Sequence, residues 1–178
     1  MKSGVAATLN VRQLEEAEWP LFGSCFFLWG TENWQAAWEV DASLSKKAPV
    51  VYARGAIEGA TALALDPNHG KWVRDHWGED YLHHENAFYR ILYVSAICSH
   101  HRLTGSGEHL ETLEEMADAF VADLKSAEYG LLEDYPDECY PADVMVALLA
   151  VEKADEILGH ERTHWIRGYQ KHFTGRLD

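Results

Sequence analysis

Leu132-Glu133-Asp134-Tyr135-Pro136-Asp137-Glu138-Cys139-Tyr140-Pro141-Ala142-Asp143 runs straight into the apolar segment Val144 to Val151. Five carboxylates, two tyrosines, a thiol and two prolines share twelve residues, an unusual makeup for a connector that leads into a buried helix. A residue before proline is pushed out of helical geometry, so Tyr135 and Tyr140 are expected to be extended, with Asp143 placed to cap the helix that follows. Two readings of the acids stand side by side. A connector is ordinarily polar and solvated. Against that, the prolines stiffen this one and its rings give it apolar surface to pack, which would hold carboxylates in fixed positions. Burial and like-charge crowding of that kind raise a carboxyl pKa and make a general acid usable near neutral pH.

Outward from this loop the chain reads as helices. Ala142 to Leu158 is closed by Gly159, and Glu161 to Phe173 forms a further helix. On the other side, Glu108 to Ser126 places Leu110, Leu113, Met116, Ala117, Phe120 and Leu124 on one face, an amphipathic pattern that looks structural. Tyr81 to Leu103 is a longer helix stopped by Thr104-Gly105-Ser106-Gly107, with a stripe of Glu85, Asn86, Tyr89 and Tyr93. That stripe is either a solvent face or the wall of a cavity. A helix from Ser43 or Ser45 to about Leu65 carries Pro49 in its first turn and ends at Asp66-Pro67-Asn68. Val11 to Asp41 reads as helix interrupted near Pro20. Its consecutive Cys25, Phe26, Phe27, Leu28 and Trp29 cover every face, so burial all round is expected. Pro49-Val50-Val51-Tyr52 is the only strand candidate, and alanines dilute it. The expected class is all-α: a single domain over residues 1–178, built of about three helical hairpins. Tyr81 to Leu103 and Ala142 to Leu158 are expected to be its most buried helices.

Composition narrows the function. With 178 residues, 47% of them hydrophobic, the chain can bury a sizeable core, and seven Trp with eight Tyr leave rings to spare for a site. The formal net charge of −14 disfavours nucleic acid and anionic membrane as partners. Cys25, Cys98 and Cys139 are too dispersed for a metal pair or disulfide framework, and no long apolar segment or signal sequence is evident, so a cytoplasmic protein is expected. His69, His76 and His83 recur every seven residues, but Gly70 and Gly78 break the element and the spacing does not suit a helical metal pair. No metal and no cofactor is implied.

Three stretches together resemble the linalool dehydratase/isomerase-like proteins. They are Glu18-Trp19-Pro20-Leu21-Phe22-Gly23 with Asn33; Asn86-Ala87-Phe88-Tyr89, whose helix ends at Leu103-Thr104-Gly105; and Asp134-Tyr135-Pro136 to Asp143, whose helix closes at Leu158-Gly159. The resemblance runs from about residue 12 to the end. It implies an α/α toroid of concentric helical hairpins, a central site and cofactor-free chemistry on an alcohol. The family's paired cysteines correspond to Asp134 and Asp143 here, and its histidine to Leu92, so two thiols and an imidazole become two carboxylates and an alkyl group. What the resemblance then implies is acid–base catalysis, of lyase, isomerase or hydrolase type, on a hydroxylated small molecule such as a terpenoid alcohol or sugar. Asp134 and Asp143 are the candidate acid and base. Glu85, Asn86, Tyr89, Tyr93, Trp29, Asn33 and Tyr135 are the candidate substrate contacts. Asp143, as a helix cap, is expected to have its pKa lowered, leaving Asp134 the better proton donor. The alternative is a non-catalytic helical module for ligand binding or assembly. A closed toroid needs about six hairpins, so this chain is expected to be half of one, its open apolar edges covered by a second copy, by a partner chain or by the rest of a longer protein; the alternative is a compact three-hairpin bundle that buries its own edges.

Overall fold

The computed structural model describes residues 14–127 and 130–162, with side chains from Trp19 onward. These residues form six α-helices: α1 Leu14–Val40, α2 Pro49–Ala64, α3 Lys71–Trp77, α4 Ala87–Thr104, α5 Leu110–Ser126 and α6 Pro141–Leu158. Among them there is no strand, only one isolated bridge between Tyr135 and Glu138, and Pro49 to Tyr52 is the first turn of α2. The all-α class holds.

Side-chain contacts give the helix directions. Phe22 packs on Phe88, the Cys25 thiol donates to the Leu92 carbonyl, and Ser99 donates to Glu32, so α1 and α4 advance together with a nearly constant offset and are parallel. α4 and α6 both begin at the 132–140 loop, and Arg102 near the end of α4 reaches Glu156 near the end of α6, which makes them parallel too. The returning helices run the other way. Glu58 in mid α2 meets His100 late in α4, while Gly70, beyond the end of α2, lies against Tyr89 early in α4. Asp123 late in α5 meets Arg90 early in α4. Three parallel helices, α1, α4 and α6, thus stand side by side with antiparallel α2 and α5 between them in sequence. α4 is central, buried along almost its whole length, with one core between α4, α5 and α6 and a second among α1, α2, α3 and α4.

Several sequence expectations are corrected. α1 continues through Pro20, which forgoes one backbone bond early in the helix, where the break costs little of the remaining ladder. It is not buried all round: Trp19, Phe26, Trp34 and Val40 are 71%, 53%, 48% and 90% exposed, because only the side carrying Leu21, Cys25 and Leu28 meets α2 and α4. α2 starts at Pro49 after Ala48; Ser43 and Ser45 lie in and after a preceding 3-10 turn that Asp41 caps. The helix expected from Tyr81 is two pieces, a 3-10 turn Tyr81–His83 and then α4, divided at Asn86, whose φ of 33° is left-handed. α6 carries exposed Met145, Val146 and Leu149, so it is less buried than expected. The helix expected over Glu161 to Phe173 lies, beyond residue 162, outside the described residues. α3 is an element that the sequence pattern does not announce: Gly70 and Gly78, which break the helical periodicity, are its two caps.

Candidate active site

The acidic loop closes the end where α4 and α6 begin. Tyr135-Pro136-Asp137-Glu138 is a tight turn: proline presets the first central residue, Asp137 has φ 63° at the second, and the Glu138 N–H donates to the Tyr135 carbonyl at 3.0 Å. That is type II turn geometry, which needs a residue tolerant of positive φ after the proline. The Asp134 N–H donates back to the Glu138 carbonyl at 2.9 Å. Two further bonds fix the loop to α4. The Ala87 N–H, the first of that helix, donates to the Glu133 carbonyl at 2.7 Å, and the Glu133 N–H donates to Glu85 Oε2 at 3.1 Å.

Asp134 sits inside this frame with no exposed surface. Its Oδ2 accepts the Tyr140 N–H at 2.7 Å, whereas Oδ1 is buried and closes no hydrogen bond of good geometry. Burial drives its pKa up to about 6 and the nearby Asp143 carboxylate adds to the rise, against a lowering by the backbone N–H groups of Tyr140 and Phe88. Asp143 is half-buried and is not the helix cap. Tyr140 occupies that position, Pro141 begins the helix, and Asp143 lies in its first turn. Burial raises the Asp143 pKa as well, which corrects the expected lowering; with no capping bond from its carboxylate, desolvation prevails.

Rings flank the acids. Tyr135 is stacked between Trp72 of α3, 5.4 Å away at 18°, and Phe88 of α4, 5.6 Å away at 26°. Phe88 rests on Phe22 of α1, and Trp72 meets Tyr89 edge-on. Tyr89 contacts Tyr81 and Tyr93, and burial raises the pKa of all three. Several buried polar atoms in this region lack a well-formed partner: Trp72 Nε1, Tyr89 OH, His69 Nδ1 and Asn86 Oδ1.

Of the expected site residues, Asp134, Asp143, Tyr135, Glu85 and Asn86 do gather at this end. Glu85 and Asn86 serve the backbone there: Glu85 holds the loop, and Asn86 Nδ2 donates to the Tyr81 and His84 carbonyls at 2.6 and 3.1 Å. Tyr89 is wholly buried behind Trp72, and Tyr93 is half-buried one turn further along α4. Trp29 and Asn33 fall elsewhere. The register that pairs Glu32 with Ser99 puts Asn33 level with the far end of α4, where it is exposed and donates to the Trp29 carbonyl in its own helix. Trp29 lies level with mid α4, its Nε1 buried without a partner. Leu92 is a core residue of the α1–α4 contact and offers no reactive group. Trp72, Phe88 and Phe22 were missed. For Trp72 the signal was a seven-residue segment between two glycines, rich in aromatics.

Histidine offers no alternative centre here, since His69 is buried while His76 and His83 are exposed, and no metal-holding group of side chains occurs among the described residues. Nor is any helix among them long and apolar enough to cross a membrane. No family model, curated protein or solved structure matches the chain.

Proposed function

We propose that the carboxylate pair at the shared starting end of α4 and α6 is a cofactor-independent acid–base centre, of lyase, isomerase or hydrolase type, for a hydroxylated small molecule. The observation that carries this reading is Asp134: a fully buried carboxyl with one oxygen that closes no hydrogen bond of good geometry, its pKa at about 6, beside a second acid. A protein that needed only a loop staple would leave that group ionised and fully bonded. Asp143, half-buried, is the group that meets the substrate hydroxyl, and Asp134 behind it is the acid held protonated closest to neutrality. The ring wall of Trp72, Tyr135 and Phe88 supplies an apolar flank suited to the carbon skeleton of a terpenoid alcohol or the hydrophobic face of a sugar. The resemblance to the toroid family supports the same location, as does the parallel order of α1, α4 and α6.

A second reading has its own observation. The Tyr140 N–H bond to Asp134 Oδ2 ties the start of α6 to the loop, which suits a structural acid in a non-catalytic binding module. The test is a panel of terpenoid alcohols and glycosides assayed for turnover and for binding with wild type, Asp143→Asn and Asp134→Asn. Turnover abolished in Asp143→Asn, with circular dichroism and melting retained, is the expected result. Binding of a panel member by all three proteins without turnover by any of them would favour the module.

A further inference from the structure

The outer face of α1 carries a seam that the other described residues leave bare. Trp19, Gly23, Phe26, Gly30, Asn33, Ala37 and Val40 follow one another at alternating steps of four and three residues, and every one is exposed. Such spacing is the seam of a helix that packs lengthwise on another helix, and a single asparagine within it sets register at some cost in stability. The seam is uncharged in a chain of net charge −14, so it is where two copies could approach with least repulsion. Large and small residues alternate along it. A Cβ built on Gly23 or Gly30 meets nothing within 4 Å.

From this face we infer that the chain pairs with a second copy of itself through α1, the two helices antiparallel about a two-fold axis at the level of residue 28. In that register Phe26 faces the partner's Gly30, Trp19 faces the partner's Ala37, and Gly23 faces the partner's Asn33. The two aromatics, Trp19 and Phe26, each meet a small residue, Val40 lies beyond the paired stretch, and each contact is made twice, as an isologous interface requires. A parallel, in-register pairing would instead set Phe26 against Phe26 and Gly23 against Gly23, leaving clashes and gaps in turn. An independent feature agrees with the antiparallel register. Gly30 lies in the lining of a groove of about 320 Å³ between α1 and α2, flanked by Phe26, Phe27, Trp34 and Tyr52, and the partner's Phe26 would enter it. The inference does not depend on the acid–base reading.

Light scattering or sedimentation of the full chain over about 1 µM to 0.1 mM reads the outcome. The expected wild-type species has twice the 20.2 kDa chain mass. Gly30→Leu fills the groove and should weaken pairing on the order of 100-fold. The same change removes a helix glycine whose side-chain direction is open, so the variant monomer should melt no lower than wild type. In a Cys139→Ser background, Trp19→Cys protein mixed with Ala37→Cys protein should give the mixed disulfide in preference to either same-site disulfide. A wild-type monomer throughout the range would overturn the inference and leave the seam to another partner. Dimerisation unaffected by Gly30→Leu, or dominance of same-site disulfides, would overturn it equally.

Discussion

Replacing Asp134 with asparagine separates a proton-holding carboxyl from a structural staple, and the sign of the effect is diagnostic. In the folded chain the Asp134 pKa rises from an ordinary 3.8 to about 6. Between those values the folded state binds a proton that the unfolded state has released, so stability falls as pH rises through this window and the loss is complete above about 6. At about 1.4 kcal/mol per pH unit the shift corresponds to up to about 3 kcal/mol. The net charge of −14 adds self-repulsion of the same sign in wild type, so the informative quantity is the difference between the two proteins. Asparagine keeps an oxygen for the Tyr140 N–H and carries no charge to bury. Urea denaturation at intervals from pH 4.5 to 7.5 should therefore show Asp134→Asn with a flatter profile, and at pH 7.5 it should match or exceed wild type by about 1–3 kcal/mol. If the variant is instead less stable by a constant amount at every pH, Asp134 is a charged cap and the reasoning fails.

Three other perturbations follow from the same end of the molecule. A Cβ on Gly70 would come within 2.5 Å of the Tyr89 hydroxyl, so Gly70→Ala should cost about 1–3 kcal/mol by thermal melting despite the general benefit of alanine over glycine. Arg90 is fully buried, donates to the His84 and Glu85 carbonyls and to Asp123, and lies over the Phe120 ring at 4.1 Å. Arg90→Ala should cost about 3 kcal/mol or more in denaturant unfolding, since it strands those acceptors and opens a cavity. Asn86→Ala loses both carbonyl bonds and puts a residue less tolerant of φ 33° at the break before α4, for a cost of about 2–3 kcal/mol by the same measurement.

The helices were legible where periodicity was strong. Leu113, Met116, Ala117, Phe120 and Leu124 are buried as the amphipathic pattern of α5 requires. The loop, too, was readable from its prolines, and the raised pKa of Asp134 from the company of acids and rings. What the sequence could not convey was helix register. The steps that place Phe22 on Phe88 and Glu32 on Ser99 decide that Asn33 faces away from the acids, and they depend on packing between segments about 67 residues apart. The division at Asn86 was hidden because a polar residue within a helical pattern reads the same whether it continues the helix or turns left-handed before it. Asp143 is not the cap because Pro141 after Tyr140 moves the helix start earlier than the acid's position suggests. The outward aromatic face of α1 was hidden by the run Cys25 to Trp29, since apolar residues that cover every face read as buried whether or not the fold covers them.

Burial, with a smaller contribution from the Asp143 charge, brings the Asp134 carboxyl close to neutrality. Carbon-detected NMR of the aspartate side-chain carboxyls, followed from pH 3 to 8 in wild type and in Asp143→Asn, tests it most directly. The Asp134 titration should be centred near 6 in wild type and move down once the Asp143 charge is removed. An Asp134 carboxyl that titrates at its ordinary value near 3.8, or one indifferent to Asp143→Asn, would contradict it.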